Sequence, residues 1–296
     1  MHDLTGVLLG LTAALTWGIT DVVAMVASRR VGSLVATAGT QVVSLLVLLL
    51  LVMATGTVLP ADPTVTATAL ASGVISAVAY LAFYTALRHG PITVVSPVVS
   101  MYGGLAVVLS VLLLGERLAP VQALGVVVAT SGIVLAAVAF DGGLRRARLI
   151  GPGVVYALVS LVAFAAVTIV LSGPIRAAGW LPVLLLARLT NAGTVCAILG
   201  ATRLRQRSAP GPRSARSPDR RVAGLVLAAG LLDIAGFIAF AVGLQVSETW
   251  LIGITSSFGP VVAVAVGVLM FGERPRPVQW LGLAFVLVSV FLIALG

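Results

Sequence analysis

Three charged side chains interrupt long apolar stretches of this sequence: Asp21, Arg188 and Asp233. Charged groups inside apolar helices are costly and usually face the interior of a helix bundle. A carboxylate among apolar groups can take up and release a proton, which is the chemistry that proton-coupled transport requires. An arginine beside a carboxylate can instead form an ion pair that only holds helices together. One arginine cannot pair well with both carboxylates, so at least one aspartate is a candidate proton carrier.

Aromatic and hydroxyl side chains accompany these charges. Trp17 precedes the first aspartate by four residues, and Phe237 follows the second by four, so each pair shares one face of a helix. Tyr80 and Tyr84 share another face, and a phenol in an apolar environment needs a polar partner. The candidate residues of a substrate and proton cavity are Trp17, Asp21, Tyr80, Tyr84, Ser100, Arg188, Asp233 and Phe237. Close packing of helices remains the alternative for serine and glycine positions, because small residues let helix backbones approach.

The composition is typical of an integral membrane protein. Hydrophobic residues make up 60% of the 296, charged residues 9%, and the mean hydropathy is +1.18, whereas about a quarter of a globular domain is charged. Apolar runs of about 20 residues cross a bilayer as helices, because a lone strand would leave its backbone groups unpaired in lipid. The sequence predicts an all-α membrane protein with ten transmembrane spans, at residues 5–27, 33–55, 65–87, 91–114, 119–140, 151–173, 180–201, 222–244, 249–271 and 277–295.

One eleven-residue element occurs twice in the chain. Residues Gly115–Gly125 recur as Gly272–Gly282, with eight of the eleven positions identical. The duplication predicts two units, residues 1–148 and 149–296, with five spans each. Because five is odd, the second unit enters the membrane in the opposite direction. The two units are therefore expected to be inverted repeats, with the functional site between them near the membrane midplane.

Arginine supplies all eighteen basic residues, and most of them lie in loops. The stretch 203–221 is rich in Arg, Pro and Ser and is predicted to be a disordered linker. Loops after odd-numbered spans contain fifteen arginines and the other loops two, so the positive-inside rule places the odd loops in the cytoplasm and both termini outside. This distribution accounts for the formal charge of +9 without nucleic acid as a partner.

No pattern for hydrolysis, phosphate binding or metal binding occurs, and the only two histidines lie at the chain start and at a span end. We therefore expect no enzyme activity, no catalytic residue, no metal and no cofactor. Glu116 and Glu273 occupy equivalent places in the repeated element. We expect structural roles for them, either capping the helix that follows or pairing with the adjacent Arg117 and Arg274.

The repeated element, together with Trp17-Gly18 in span 1, resembles the drug/metabolite transporter superfamily, specifically its ten-helix EamA group. The resemblance covers the whole chain and rests on Leu114-Gly115-Glu116-Arg117 and Phe271-Gly272-Glu273-Arg274 at matching places after spans 4 and 9. Pro260 in span 9 also fits the family pattern, whereas its counterpart in span 4 is Gly103. The resemblance implies secondary transport of small metabolites, often export of amino acids or related compounds, through a cavity formed by spans 1, 3, 4, 6, 8 and 9. It also implies cytoplasmic termini, opposite to the arginine count.

The residues and the resemblance together predict a secondary active transporter, an exporter, in the bacterial plasma (inner) membrane. It would work by alternating access. Its expected partners are a small-molecule substrate, the lipid bilayer and protons as the coupling ion, and it would act as a monomer or a homodimer. A lipid-handling or scaffold protein without solute transport is the alternative; it predicts a lateral opening to lipid, or no polar cavity.

Overall fold

The computed structural model describes residues 2–90, 92–138, 152–207, 220–259, 261–262 and 277–295, which form helices joined by short turns. The prediction of an all-α protein is confirmed for these residues. A π-helical turn, Ser110–Leu114, extends the fifth helix. The helices are α1 (His2–Val31), α2 (Ser33–Thr55), α3 (Pro63–His89), α4 (Ile92–Ser100), α5 (Tyr102–Leu109), α6 (Pro120–Val138), α7 (Pro152–Ala178), α8 (Trp180–Arg207), α9 (Arg220–Val246), α10 (Thr249–Ser256) and α11 (Pro277–Leu295).

Six helices of the described residues are long and apolar enough to cross a membrane: α1, α2, α3, α7, α8 and α9. Shorter apolar helical stretches cover Val98–Leu114, Pro120–Leu135 and Trp280–Ile293. Each of the six helices is longer than the roughly 20 residues needed to span the hydrocarbon layer. A multi-pass membrane protein is therefore supported, and the count of ten spans stays a prediction.

The arginine-rich linker is shorter than the sequence predicted. α8 continues through Arg207 and α9 begins at Arg220, so both ends of the predicted 203–221 linker are helical. Arg, Leu and Gln are good helix formers, which lets polar turns extend a helix beyond its apolar part. The remaining linker residues, 208–219, lie outside the described residues.

Span 4, predicted as one helix over 91–114, is interrupted. α4 ends at Ser100 and α5 begins at Tyr102; between them the Met101 amide donates to the carbonyl of Val98, only three residues back, at 3.3 Å. α10 ends in the same way, since the amide following it donates three residues back at 3.2 Å. The hydropathy of the sequence does not reveal such an interruption, because the side chains stay apolar while the backbone hydrogen-bonding pattern changes. Most of span 9 beyond residue 262 lies outside the described residues.

Helix packing repeats between the two halves. α1 packs along α9 as α7 packs along α3, and α2 packs on α9 as α8 packs on α3. The turns between the first two helices of each half contain Gly32 and Gly179, with φ of 89° and 84°, a conformation that favours glycine. These glycines lie 147 positions apart, whereas the repeated Gly-Glu-Arg element recurs after 157. The difference falls around the junction of α8 and α9, where the second half contains extra residues.

α5 and α10 run antiparallel along the seam between the halves. Tyr102, at the start of α5, hydrogen-bonds Ser256, at the end of α10, with 2.7 Å between the hydroxyl oxygens. Glu116, beyond the other end of α5, binds the first backbone amides of α10. Gly103 permits the close approach, because a Cβ there would lie 2.5 Å from the carbonyl oxygen of Gly253.

α6 and α11 form the second antiparallel pair. The backbone of Gly125 lies against Ile293, and that of Gly132 lies against Gly282. Residues near the start of α6 therefore contact the end of α11, and residues further along α6 contact the start of α11, so the two helices are antiparallel. Equivalent helices of the two halves that point in opposite directions are the arrangement of an inverted repeat.

Candidate functional site

A cavity lies between the two halves, where α1, α3, α4, α5, α7, α9 and α10 meet. It contains about 720 Å³ of empty space, counting the part that opens to solvent. Its wall is mostly aromatic and aliphatic, with a few hydroxyl and carboxylate groups. A mostly apolar wall with a few polar groups is usual for a site that binds a small organic molecule.

Asp21 supplies the accessible carboxylate of the cavity. Its side chain, on α1, is half-buried and forms part of the wall. Ser96 of α4 donates a hydrogen bond to Asp21 Oδ2 at 2.8 Å. The arginine ion pairs among the described residues involve other carboxylates. One serine therefore positions the Asp21 carboxylate, and its charge has no cationic partner in the described part of the chain.

Asp233, by contrast, is buried and engaged at both oxygens. Arg188 Nη2 lies 3.0 Å from Asp233 Oδ2, and each side chain is only 2% exposed. The Tyr80 hydroxyl donates to Asp233 Oδ1 at 2.6 Å, and the Ser44 hydroxyl donates to Oδ2 at 3.2 Å. A cation thus balances this carboxylate, and its hydrogen-bonding positions are occupied.

Arg188 lies behind the cavity wall and is held by both halves of the chain. Its Nη1 donates to Gln41 Oε1, and its Nη2 donates to the Tyr80 hydroxyl at 3.2 Å. The guanidinium carbon lies 4.3 Å from the ring centroid of Phe237 and 5.1 Å from that of Tyr80, within the range of cation–π attraction. The ion pair is therefore clamped by aromatic faces as well as by hydrogen bonds.

Two aromatic triads line the cavity, one around Trp17 and one around Phe164. The Trp17 ring centroid lies 5.9 and 5.5 Å from its two partners, and that of Phe164 lies 5.2 and 6.3 Å from its own. Each ring of one triad stands at the position equivalent to a ring of the other. Trp17 and Phe164 are 147 residues apart, and the other two pairs of equivalent rings are each 157 residues apart. The triads are Trp17 with Phe237 and Phe240, and Phe164 with Tyr80 and Phe83.

A sequence profile matches this chain twice, over residues 4–138 and again over residues 151–295, and its description is EamA-like transporter family. The chain belongs to the EamA-like transporter family. Membership of the drug/metabolite transporter superfamily, suspected from the repeated element, is thereby confirmed. The EamA family is a family of membrane transporters, and the two matches fall on the two halves of the chain.

A protein of known crystal structure has the same fold as this EamA-family chain. The two share 21% sequence identity and a TM-score of 0.77, over 98% of this chain and 96% of the other. At that identity the likeness establishes the fold alone. No curated protein gives a significant match to the chain.

The structure brings the predicted site residues of this EamA-family chain together. Seven of them line the cavity, while Arg188 contacts the wall from behind through Tyr80 and Asp233. The seven are Trp17, Asp21, Tyr80, Tyr84, Ser100, Asp233 and Phe237. Their roles in transport stay predictions. Within the described residues, no cluster of three His, Cys, Asp or Glu side chains could hold a metal ion.

Several residues of the site were missing from the predicted set. Phe164 could have been predicted from the duplication, because it occupies the position in the second half that Trp17 occupies in the first. Gln41 and Ser44, which hold the ion pair, had none, because single uncharged polar residues are common in apolar helices. Ser96 was missed as well, because its bond to Asp21 depends on how α1 and α4 are rotated about their axes.

Glu116 does not cap the helix that follows it, and the predicted pairing with Arg117 is wrong. Its Oε1 accepts from the Thr249 amide and its Oε2 from the Trp250 amide, both at 2.9 Å, and Arg176 Nη2 lies 3.0 Å from Oε1. The carboxylate therefore caps α10, a helix of the other half, whose own N-cap residue makes no side-chain cap bond. Glu273 lies outside the described residues. We call the arrangement of Glu116, Arg176, Thr249 and Trp250 the Glu116 cap.

The Glu116 cap sets the protonation of its carboxylate. Burial favours the neutral acid, but the two amide donors and the Arg176 guanidinium favour the anion more strongly, so the pKa of Glu116 is held below its ordinary value. An anion at a helix N-terminus also gains from the helix dipole. The cap is therefore a charged contact between the halves, at the end of the seam distant from Tyr102.

Proposed function

We propose that this protein is a secondary active transporter that exports small organic metabolites, amino acids or related compounds, across the bacterial plasma membrane with protons as the coupling ion. The main support is the cavity between the two halves, with the half-buried carboxylate of Asp21 on its wall. A carboxylate without a cationic partner in an apolar site can exchange a proton for another ligand. The membership of a transporter family agrees with this proposal.

Alternating access suits the arrangement of the halves. The cavity is lined from both, and the antiparallel α5 and α10 form the seam beside it. In inverted-repeat transporters, one half rocks against the other around a fixed site, and access passes from one side of the membrane to the other. The seam contacts, including the Tyr102–Ser256 hydrogen bond, would then break and reform in each cycle.

The two aspartates have different roles in this proposal. Asp21 is the proton carrier, because it is accessible from the cavity and a single hydroxyl group positions it. Asp233 is a positioning residue, because protonating it would break a buried ion pair and disturb the bonds from Tyr80 and Ser44. In one cycle, a proton enters from outside and binds Asp21, is released inside, and leaves the carboxylate free for the outgoing substrate.

Proton flux in proteoliposomes tests the assignment. We expect substrate-dependent proton movement with the wild-type protein, none with Asp21→Asn, and retained coupling in whatever fraction of Asp233→Asn folds. Asp62→Asn is the matched control, since this carboxylate caps α3 outside the cavity. Unchanged coupling in both the Asp21 and Asp233 variants would remove the carboxylates from the mechanism, and lipid movement without solute flux would favour the lipid-handling alternative.

A further inference from the structure

The geometry points to a substrate class: a monovalent organic cation, an amine with an apolar or aromatic body, whose ammonium group binds at Asp21 between the aromatic triads. This inference rests on the proposed function and narrows it.

Among the described residues of the cavity, the ionised Asp21 carboxylate is a negative charge that no cation balances. Asp233 is neutralised by Arg188 at 3.0 Å, and the other titratable groups among the described wall residues, apart from Asp21, are tyrosines, which are neutral near neutral pH. Asp21 receives one hydrogen bond, from Ser96, which fixes the carboxylate without cancelling its charge. A ligand with a single positive charge would complete this balance, whereas a neutral or anionic ligand would require the Asp21 carboxylate to take up a proton instead.

The rings around the cavity suit a cation with an apolar body. Neighbouring rings of each triad are tilted or edge-to-face to one another, so their faces point in different directions around the space that they line. The face of an aromatic ring attracts an ammonium group, and such attraction strengthens when water is excluded. Two of these rings, Phe237 and Tyr80, already lie beside the guanidinium of Arg188, at 4.3 and 5.1 Å. The rest of the aromatic surface can cover the apolar part of the ligand.

A zwitterionic amino acid fits this wall less well. Its carboxylate needs a cation or a set of donors, and in the described part of the chain the cation that contacts the wall, through Asp233 and Tyr80, is Arg188. That guanidinium is 2% exposed, and its two Nη atoms already donate to Gln41, Tyr80 and Asp233. Its Nε–H has no partner but is buried, so a second carboxylate could reach the guanidinium only by displacing the side chains around it. Burying an unpaired carboxylate costs several kcal/mol. The cavity should therefore prefer an amine to the amino acid with the same side chain.

Four probes that share one phenyl ring test this preference: phenethylamine (cation), phenylalanine (zwitterion), phenylacetate (anion) and 2-phenylethanol (neutral). Binding of each radiolabelled probe is measured at neutral pH with the full chain in lipid nanodiscs. We expect phenethylamine to bind at least about tenfold more tightly than the other three. Asp21→Asn should reduce phenethylamine binding to the level of the alcohol, whereas Asp21→Glu should keep the preference for the amine, and Asp62→Asn should bind like the wild type.

The inference is overturned if phenylalanine binds as tightly as the amine, or if Asp21→Asn keeps the wild-type preference. Should Asp21→Asn fail to fold, the four wild-type affinities and those of Asp21→Glu still decide between the classes. Flux assays separate the two proposals. Tight amine binding without flux of any probe contradicts the transport function but supports the substrate class, whereas proton-coupled flux of phenylalanine without an amine preference does the reverse.

Discussion

Arg188 and Asp233 form an ion pair 3.0 Å apart in which each side chain is 2% exposed. Both residues belong to the second half, yet Gln41, Ser44 and Tyr80 of the first half complete their hydrogen bonds. Such further bonds offset part of the cost of removing an ion pair from water, and of the polar atoms involved Arg188 Nε and Gln41 Nε2 stay buried without a hydrogen-bond partner. The pair therefore ties the halves together and also keeps the only buried arginine of the described residues away from the cavity.

Breaking the ion pair at one side should be more harmful than removing both charges. Arg188→Met leaves the Asp233 carboxylate buried without a cation, at a cost of about 3–5 kcal/mol. The double variant Arg188→Met/Asp233→Asn removes the unpaired charge and should regain much of this loss. Thermal unfolding in detergent checks the order: wild type highest, double variant next, Arg188→Met lowest. A single variant as stable as the wild type would show that the pair contributes nothing to the fold.

The two aromatic triads should contribute similarly to ligand binding. Trp17→Ala and Phe164→Ala each remove the central ring of one triad, and we expect each to weaken phenethylamine binding by about tenfold. Trp280→Ala is the matched control, since this tryptophan is 55% exposed on α11 and away from the cavity. Equilibrium binding in nanodiscs gives the three affinities. Unaltered affinity in both Trp17 and Phe164 variants would contradict the placement of the ligand between the triads.

The Glu116 cap should make stability depend on pH in a defined direction. Because the pKa of Glu116 is lowered on folding, its contribution is fully present above the ordinary value of 4.5 and is lost as pH falls through the lower folded value. Glu116→Gln should lower stability by about 2 kcal/mol at neutral pH, because it weakens bonds from two amides and an arginine. Melting temperatures across the acidic range should then fall less steeply for the variant than for the wild type.

Glu248→Gln is the control for the Glu116 cap. The Glu248 carboxylate lies 3.8 Å from the same arginine, but its side chain is 56% exposed, and exposed ion pairs contribute little. We expect its melting temperature to stay within a degree or so of the wild type. Parallel pH profiles for the wild type and Glu116→Gln would mean that the cap does not titrate as described.

The seam between α5 and α10 should be sensitive to a single methyl group. Gly103→Ala would place its Cβ 2.5 Å from the Gly253 carbonyl oxygen, so the helices must move apart, at about 1–3 kcal/mol. Gly104→Ala meets only the Thr130 side chain, at 3.3 Å, and gains up to about 1 kcal/mol of helix propensity. Thermal unfolding of the two neighbouring variants compares them directly. Equal stability would contradict the close antiparallel contact.

Much of the fold could be predicted from the sequence, because its strongest signals are local. Apolar runs marked the long helices, and the repeated Gly-Glu-Arg element marked the duplication. The breaks near Met101 and Ser256 were not predicted, because they change backbone bonding and leave hydropathy unaltered. The extension of α8 to Arg207 was not predicted, because the polar residues that follow the apolar run are equally common in loops and in helix ends.

The charged residues of the site could be predicted because they lie in apolar runs. Their hydrogen-bond and ion-pair partners could not be predicted from the sequence. Asp21, Arg188 and Asp233 stand out in apolar runs, but which aspartate the arginine pairs with depends on the rotation of α8 and α9 about their axes. Glu116 was predicted to have a structural role, which its contacts with α10 support, but the predicted partners, Arg117 and the helix that follows, were wrong. Its partners lie 133 and 134 residues further along the chain, and local sequence patterns do not predict contacts at that separation.

Equivalent positions of the two halves do not carry equivalent chemistry. Gln41 stands where Arg188 stands, and Ser76 stands where Asp233 stands, so the charged pair exists on one side of the pseudo-twofold axis only. A carrier built from identical halves would have inward- and outward-open forms of equal free energy. Under the alternating-access cycle proposed above, the neutral-to-charged replacements in this chain make the two forms unequal in free energy, so we expect the empty carrier to open toward one compartment in preference to the other.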